Sequence, residues 1–347
     1  MVSFLLSFSL ILTQRWHGTL SFDESPGVQK VHTTPTPRVG GFAIVLSLVA
    51  ALAVVPPDFR TELFPLLIAG SLAFGFGMTE DLTKRVSVLA RLLATMGSGV
   101  VAWFITGYSL SDVNVWGLDD LLQFKVLSVL FTAFAIGGVA NAINIIDGLH
   151  GLASSMVFWA LLSVAALAAA LGDALLVTTC LVIAAAVFGF FLVNWPFGKL
   201  FLGDGGAYFL GFALAWVCVM LVERHAQVSA FAALLICIHP ITEVIYSMYR
   251  RVVRRKPAGQ PDRLHLHSLV KRRIMRQYFP TYSITFRNAV AGLSVGSLSL
   301  LPALIVQWTF NSTAWSLFFA AAFVLAYLGL FKSMLLLFGR SAPRQPA

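Results

Sequence analysis

The sequence predicts an all-α polytopic membrane protein of about 11 transmembrane helices, and three observations carry that reading. Of its 347 residues, 58% are hydrophobic and 11% charged, less than half the ~25% charge of a soluble domain. Apolar stretches recur along most of the chain, and a bilayer takes about 20 such residues to cross. The 24 Lys and Arg, set against 15 Asp and Glu, fall unevenly between those stretches, as the positive-inside rule describes. This composition excludes a soluble enzyme, a disordered chain and a nucleic-acid binder of the usual kind.

The apolar stretches lie near residues 2–12, 42–56, 62–78, 86–107, 123–142, 152–171, 174–193, 206–222, 228–249, 284–310 and 313–338. The first is short for a crossing and lacks a basic n-region and a small-residue cleavage site, so a clipped first helix is expected rather than a signal peptide. No fixed-period repeat and no low-complexity linker divides the chain. One domain over 1–347 is expected, with a basic loop at 250–283 inside it. Alternate connections give the topology. Segments 13–41, 79–85, 143–151, 194–205, 250–283 and the tail, with three membrane-end residues, hold 21 of the 24 basic residues, and only Arg60, Lys125 and Arg224 fall opposite. The richer side is assigned to the cytoplasm. Cys180, Cys218 and Cys237 lie in apolar stretches without C-x-x-C spacing, and read as small core or lipid-facing residues.

The same side gathers the polar motifs. T-E-D-L-T-K sets Glu80 beside Asp81 with Lys84 one turn on. N-A-I-N-I-I-D-G carries Asn141, Asn144 and Asp147 at a three-residue spacing. N-W-P-F-G-K-L-F-L-G-D-G-G carries Asn194, Lys199, Phe201 and Asp204, and P-D-R-L-H-L-H-S carries Arg263, His265 and His267. Acids at membrane depth are costly unless paired, wet or metal-bound, which makes each a functional candidate. The opposite side is expected to hold no comparable cluster, with Asp112, Asp119 and Asp120 in a solvated loop.

Carboxylates, amide oxygens and water suit Mg²⁺, which is held by one or two carboxylates plus substrate phosphates. Asn144 and Asp204 could supply such a half-shell. Lys30, Arg38, Lys84 and Arg263 offer charge for phosphate oxygens, and Gly203, Gly205 and Gly206 let backbone approach them. A metal, acids and bases at one membrane face point to phosphoryl transfer onto or from a lipid.

These residues resemble the polyprenyl-phosphate N-acetylhexosamine-1-phosphate transferases (glycosyltransferase family 4) from about residue 20 to about residue 270. The matching elements, in order, are K-V-H-T-T-P-T-P-R-V-G-G, E-D-L-T-K, N-A-I-N-I-I-D-G, F-L-G-D-G-G and P-D-R-L-H-L-H. The resemblance implies ten or eleven transmembrane helices around a cytoplasmic cleft. It implies that Asn144 and Asp204 ligate Mg²⁺, with Mn²⁺ able to substitute, and that Phe201 stacks on uracil. Asp147 and Asn194 would line the nucleotide site. Asp81, Glu80, Lys84 and Asp147 are the expected catalytic set, and Lys30, Asn141, Asn194, Phe201, Arg263, His265 and His267 the substrate-binding set. Three positions depart from the family's pattern: Glu80 and Glu243 stand where aspartates are common, and Ser268 where a further histidine is.

The reaction implied is attack by a polyprenyl (undecaprenyl) phosphate on a UDP-N-acetylhexosamine, expelling UMP to start a lipid-linked cell-envelope glycan. One acid of the Glu80–Asp81 pair would deprotonate or orient the lipid phosphate, and a covalent aspartyl-phosphate route is a second option. The polyprenyl chain would lie between helices near the bend expected at Pro240. Membrane lipids and a second copy of the chain are candidate partners, and nucleic acid is not. H-T-T-P-T-P-R-V-G-G and the single-spaced H-L-H favour the N-acetylglucosamine branch over the phospho-MurNAc-pentapeptide transferase, which stays an alternative. A transporter is the alternative of another class, and it predicts charge near the bilayer midplane and inverted repeats.

Overall fold

The structure, a computed structural model, describes residues 1–21, 36–255 and 264–337. The described residues hold α-helices and no β-strand. In chain order these are α1 (Val2–Leu12), α2 (Gln14–Ser21), α3 (Gly40–Val54), α4 (Pro57–Thr83), α5 (Val88–Thr106), α6 (Leu118–Leu122), α7 (Lys125–Ile146), α8 (Leu152–Ala170), α9 (Ala174–Asn194), α10 (Gly203–Arg224), α11 (Ala230–Ile236) and α12 (Ile238–Val253). A short α13 (Leu266–Leu269) runs through a π-helical turn, Val270–Met275, into α14 (Arg276–Tyr278). The described residues end in α15 (Ile284–Gly296), α16 (Leu300–Thr309) and α17 (Thr313–Leu337).

The eleven expected stretches sort into three kinds. Eight spans are long and apolar enough to cross a bilayer, α15 and α16 together making one of them. A ninth is the pair α11 and α12, bent by 75°. The remaining two, α1 and α3, are apolar but shorter, with 11 and 15 residues. The bend was expected at Pro240 but falls at Cys237. Pro240 sits instead in the first turn of α12, where a missing N–H leaves no intrahelical bond unmade.

Local signals start and stop the helices where the site needs them. Ser87 accepts from Ala90 N at 3.2 Å to begin α5, and Asp173 accepts from Leu176 N at 2.9 Å to begin α9. Lys84 closes α4 in the left-handed region, φ 56°.

Helix α10 is the axis of the bundle. Every residue from Gly203 to Val222 except Asp204 is buried. It runs antiparallel to α4: Asp81 meets Gly205 at one end, and Glu62 meets Arg224 at the other. The 19 residues from Glu62 to Asp81 rise about 28 Å, close to the hydrocarbon thickness. Charged residues of both helices therefore lie near the two ends of the bundle, and none of α4 or α10 lies at mid-height.

The start of α10 is wedged between two other backbones. A Cβ on Gly41 would lie 2.3 Å from Gly206 Cα, and one on Gly77 2.6 Å from the Asp204 carbonyl oxygen. Gly40 N and Gly41 N donate to the carbonyls of Phe201 and Leu202 at 2.8 and 2.9 Å, and Phe201 N donates to Pro37 O at 2.8 Å. Main chain touches main chain here, with no side chain between.

Candidate active site

The end of α4 and the starts of α5 and α10 bring acids and arginines together. Asp204, in the first turn of α10, receives Arg91 Nη1 at 2.6 Å on Oδ2 and Arg38 Nη2 at 3.1 Å on Oδ1. Asp81 is buried and accepts from Gly205 N at 2.9 Å through Oδ2, and Arg38 Nε lies 3.6 Å from its Oδ1. Gly203 holds φ +76°, and a Cβ there would lie 2.6 Å from Asp81 Oδ2, so only glycine lets the α10 terminus approach the acid. Two carboxylates and two guanidinium groups thus converge on a helix N-terminus, where partial positive charge favours an anion and the Gly205 N–H already holds the Asp81 carboxylate.

Asp147, the residue after α7, belongs to the same electrostatic group. Burial pushes its carboxyl up to about 7; Arg38 pulls it down, while Asp204 and Asp81 add like charge that pushes it up. Asn144 is half-buried one turn earlier on α7. The donors here are oxygens, with no thiol. Among the described residues no three His, Cys, Asp or Glu side chains form a ready cage for a metal. Such a set fits a hard cation that keeps waters and takes its other ligands from substrate phosphates, as Mg²⁺ does.

The pair Glu80–Asp81 divides its work. Glu80 Oε2 accepts from Val86 N at 2.8 Å and its Oε1 stands 4.0 Å from Arg91, so it ties the turn after α4 and faces the edge of the cluster. Lys84 is exposed at the helix end.

Two expected substrate ligands are turned inward. Asn194 Oδ1 accepts from Gly151 N at 2.6 Å and its Nδ2 donates to Leu200 O at 2.8 Å, so the amide joins two loops. Asn141 Nδ2 donates to Gly137 O at 2.8 Å and Thr95 Oγ1 at 3.1 Å, joining α7 to α5. Both amides tie neighbouring segments together. Phe201 is half-buried and stacks on His150, centroids 6.1 Å apart.

The histidine motif reaches the same end of the bundle. His265 Nδ1 pairs with Glu243 Oε1 at 2.9 Å, and the His265 and His267 rings stack at 5.4 Å and 3°. A Cβ on Gly148 would lie 2.8 Å from His267 Nε2, so His267 packs on the turn that carries Asp147. Burial holds the His267 ring down at about 3; Glu243 opposes this, and His265, Lys271 and Arg272 add to it. Lys30 and Arg263 lie outside the described residues.

Arg91 and His150 are functional candidates that motif reading passed over. The signal at Arg91 is a lone arginine in the first turn of an otherwise apolar helix. The far end of the bundle corrects a further expectation. It does carry a polar cluster: Arg224 pairs with Glu62, with Asp173 at 3.3 Å and with the Tyr108 hydroxyl at 3.2 Å, and His225 meets Asp173 at 3.2 Å. Its members come from separate elements and form no local motif. A shallow pocket of about 480 Å³ opens beside Asp173 and Arg224, where the guanidinium already faces two carboxylates.

Comparison with known proteins brings these observations together. Residues 63–222 match the model described as glycosyl transferase family 4. Over that stretch the chain is similar to glycosyl transferase family 4. The matched stretch runs from early α4 to the last turn of α10 and includes Glu80, Asp81, Arg91, Asn144, Asp147, Asn194, Phe201 and Asp204; Arg38, Glu243 and the two histidines flank it. A probable undecaprenyl-phosphate N-acetylglucosaminyl 1-phosphate transferase of Bacillus subtilis is 27% identical over 245 residues, 70% of this chain and 68% of its own. The decaprenyl-phosphate N-acetylglucosaminephosphotransferase of Mycobacterium tuberculosis is 29% identical over 278 residues, 70% of this chain and 67% of its own. The undecaprenyl-phosphate alpha-N-acetylglucosaminyl 1-phosphate transferase of Escherichia coli K12 is 25% identical over 293 residues, 82% of this chain and 78% of its own.

Proposed function

We propose that this protein belongs to glycosyl transferase family 4 and transfers N-acetylhexosamine 1-phosphate, with N-acetylglucosamine the favoured sugar, from a UDP-sugar to a polyprenyl phosphate. An oxygen of the lipid phosphate forms a bond to the β-phosphorus, the bond to the α-phosphate oxygen breaks, and UMP leaves with the electron pair. The observation that carries this reading is the Asp81–Arg38–Asp204–Arg91 constellation at the N-terminus of α10. It joins anion-binding backbone to paired acids at one end of an apolar bundle, where a lipid phosphate and a water-soluble nucleotide can meet. The names of the three relatives supply the substrate class.

Asn144 and Asp204 would hold Mg²⁺, which when bound neutralises diphosphate charge. Arg38 and Arg91 are placed to take phosphate oxygens once Asp204 turns to the metal. Asp81 keeps the acceptor phosphate deprotonated or oriented, and Phe201 offers a flat apolar face to the uracil. The 21 of 24 basic residues on this side support an active site facing the cytoplasm from the inner membrane. UMP release from a panel of UDP-sugars with undecaprenyl phosphate tests the reading. Release with UDP-N-acetylglucosamine is the expected result. Release only with UDP-MurNAc-pentapeptide would move the chain to the peptidoglycan branch, and no release from any sugar would overturn the reaction.

A further inference from the structure

The buried carboxylate of Glu243, on α12, is the meeting point of three donors. Its Oε1 accepts from His265 Nδ1 at 2.9 Å and from Leu266 N at 3.1 Å, and its Oε2 accepts from the hydroxyl of Tyr327, on α17. Glu243, His265, His267 and Tyr327 are each no more than 6% exposed. The contacts continue in one direction: His265 stacks flat on His267, and His267 packs on Gly148, the neighbour of Asp147. A chain of contacts thus runs from the last helix to the acidic cluster.

We propose that Tyr327 and Glu243 are positioning residues that hold His265 in its Nδ1-protonated form and the histidine pair in one plane against the Asp147 turn. This rests on the transfer reaction proposed above. A carboxylate without the tyrosine could rotate about its last torsion, and Oε1 and Oε2 could exchange roles. With the phenol hydrogen donated to Oε2, one orientation remains, and Oε1 faces His265. The Nδ1 hydrogen is then committed, so His265 meets a phosphate only through Nε2, which accepts a hydrogen from a protonated phosphate oxygen or, once protonated itself, donates to an anionic one. The same clamp caps the start of α13, where no local side chain does so. Tyr327 lies about 60 residues beyond the histidine motif and outside the family 4 stretch, so no motif announces it.

The test is a double-mutant cycle joined to a spectroscopic measurement. Tyr327→Phe should lower kcat for UMP release about 10–100-fold, as loss of a group supporting an active-site histidine does, with the KM for UDP-sugar within about twofold. On a His265→Asn background the same substitution should change kcat by less than about twofold, because its effect passes through His265. In protein labelled with ¹⁵N-histidine, the Nδ1-protonated signal, assigned to His265 by its absence in His265→Asn, should give way to a tautomer mixture in Tyr327→Phe. Equal costs in both backgrounds, or a lowered Tm with unchanged kcat per folded enzyme, would mark Tyr327 as structural and overturn the proposal. An unchanged tautomer would also overturn it, whatever the activity. A wild type that releases no UMP counts against the reaction alone, and the nitrogen spectra then decide the positioning.

Discussion

Arg91 reaches from α5 to α10 and sets its Nη1 2.6 Å from Asp204 Oδ2, while Arg38 occupies the other oxygen at 3.1 Å. A divalent cation at Asp204 must therefore compete with a guanidinium. Arg91→Gln should lower the Mg²⁺ concentration for half-maximal activity by about fivefold, ~1 kcal/mol for a part-exposed ion pair. Asp204→Asn should abolish turnover with folded protein retained, and chelator should do the same reversibly, with Mg²⁺ or Mn²⁺ restoring activity. Metal titrations of UMP release check all three. An unchanged or higher Mg²⁺ requirement in Arg91→Gln would show that the arginine does not compete.

Glu80 and Asp81 should respond differently. Glu80→Gln keeps an oxygen for Val86 N and should retain activity within about tenfold. Glu80→Asp falls a methylene short of that N–H and should be the worse of the two, through the loosened turn. Asp81→Asn should cost about 10²–10⁴-fold, the range of general acid–base help. Single-turnover rates at saturating substrates decide, and an Asp81→Asn enzyme faster than Glu80→Gln would reverse the assignment.

Arg224→Ala, at the far end, should act on stability. It leaves Glu62 and Asp173, each with a side chain 11% exposed, without their cation, a loss of about 1–3 kcal/mol. Thermal unfolding in detergent should show a lower Tm, with kcat per folded enzyme within about twofold of wild type. A fall in kcat at unchanged Tm would place the cluster in catalysis instead.

His267 gives a pH dependence with a definite sign. Its folded value, about 3, lies below the unfolded 6.5, so between those limits the unfolded chain takes up a proton that the fold refuses. Stability should then fall as pH drops below 6.5, by up to about 1.4 kcal/mol per pH unit from this group. His267→Gln removes the contribution, and comparing urea unfolding of the two proteins at pH 7 and 5 measures it. Equal losses in both would mean that His267 charges freely in the fold.

Sidedness is tested by cysteine accessibility in intact cells. Single cysteines within 108–122 should label from outside, and those in 250–283 should label only after permeabilisation. External labelling of 250–283 would invert the topology and move the site to the other face.

The sequence carries the fold class because crossing a bilayer imposes long apolar helices, and all eleven expected stretches overlap helices. One of them, α3, begins two residues early at Gly40, inside the glycine motif, where its first turn bonds to the carbonyls of Phe201 and Leu202. The acids were legible for a related reason: Asp81, Asp147 and Asp204 are too costly at a membrane end to be incidental. Side-chain direction was not legible. Nothing in the spacing of Asn141 or Asn194 says that their amides turn to Gly137 and Leu200. Partnerships across long separations were hidden too: Tyr327 lies 84 residues from Glu243, and Arg224 lies 162 from Glu62.

The glycine contacts around α10 bear on how such an enzyme could be retuned. Because Gly41, Gly77 and Gly206 bring main chains into contact, the helix end that would face the phosphates is set by a rigid joint, and alanine at any of the three should displace it. Diversity aimed at a new donor sugar has no room in that joint. Nor does it belong in the loops at 148–151 and 195–200, where Gly148 packs on His267, Gly198 packs on His150, and Asn194 ties Gly151 to Leu200.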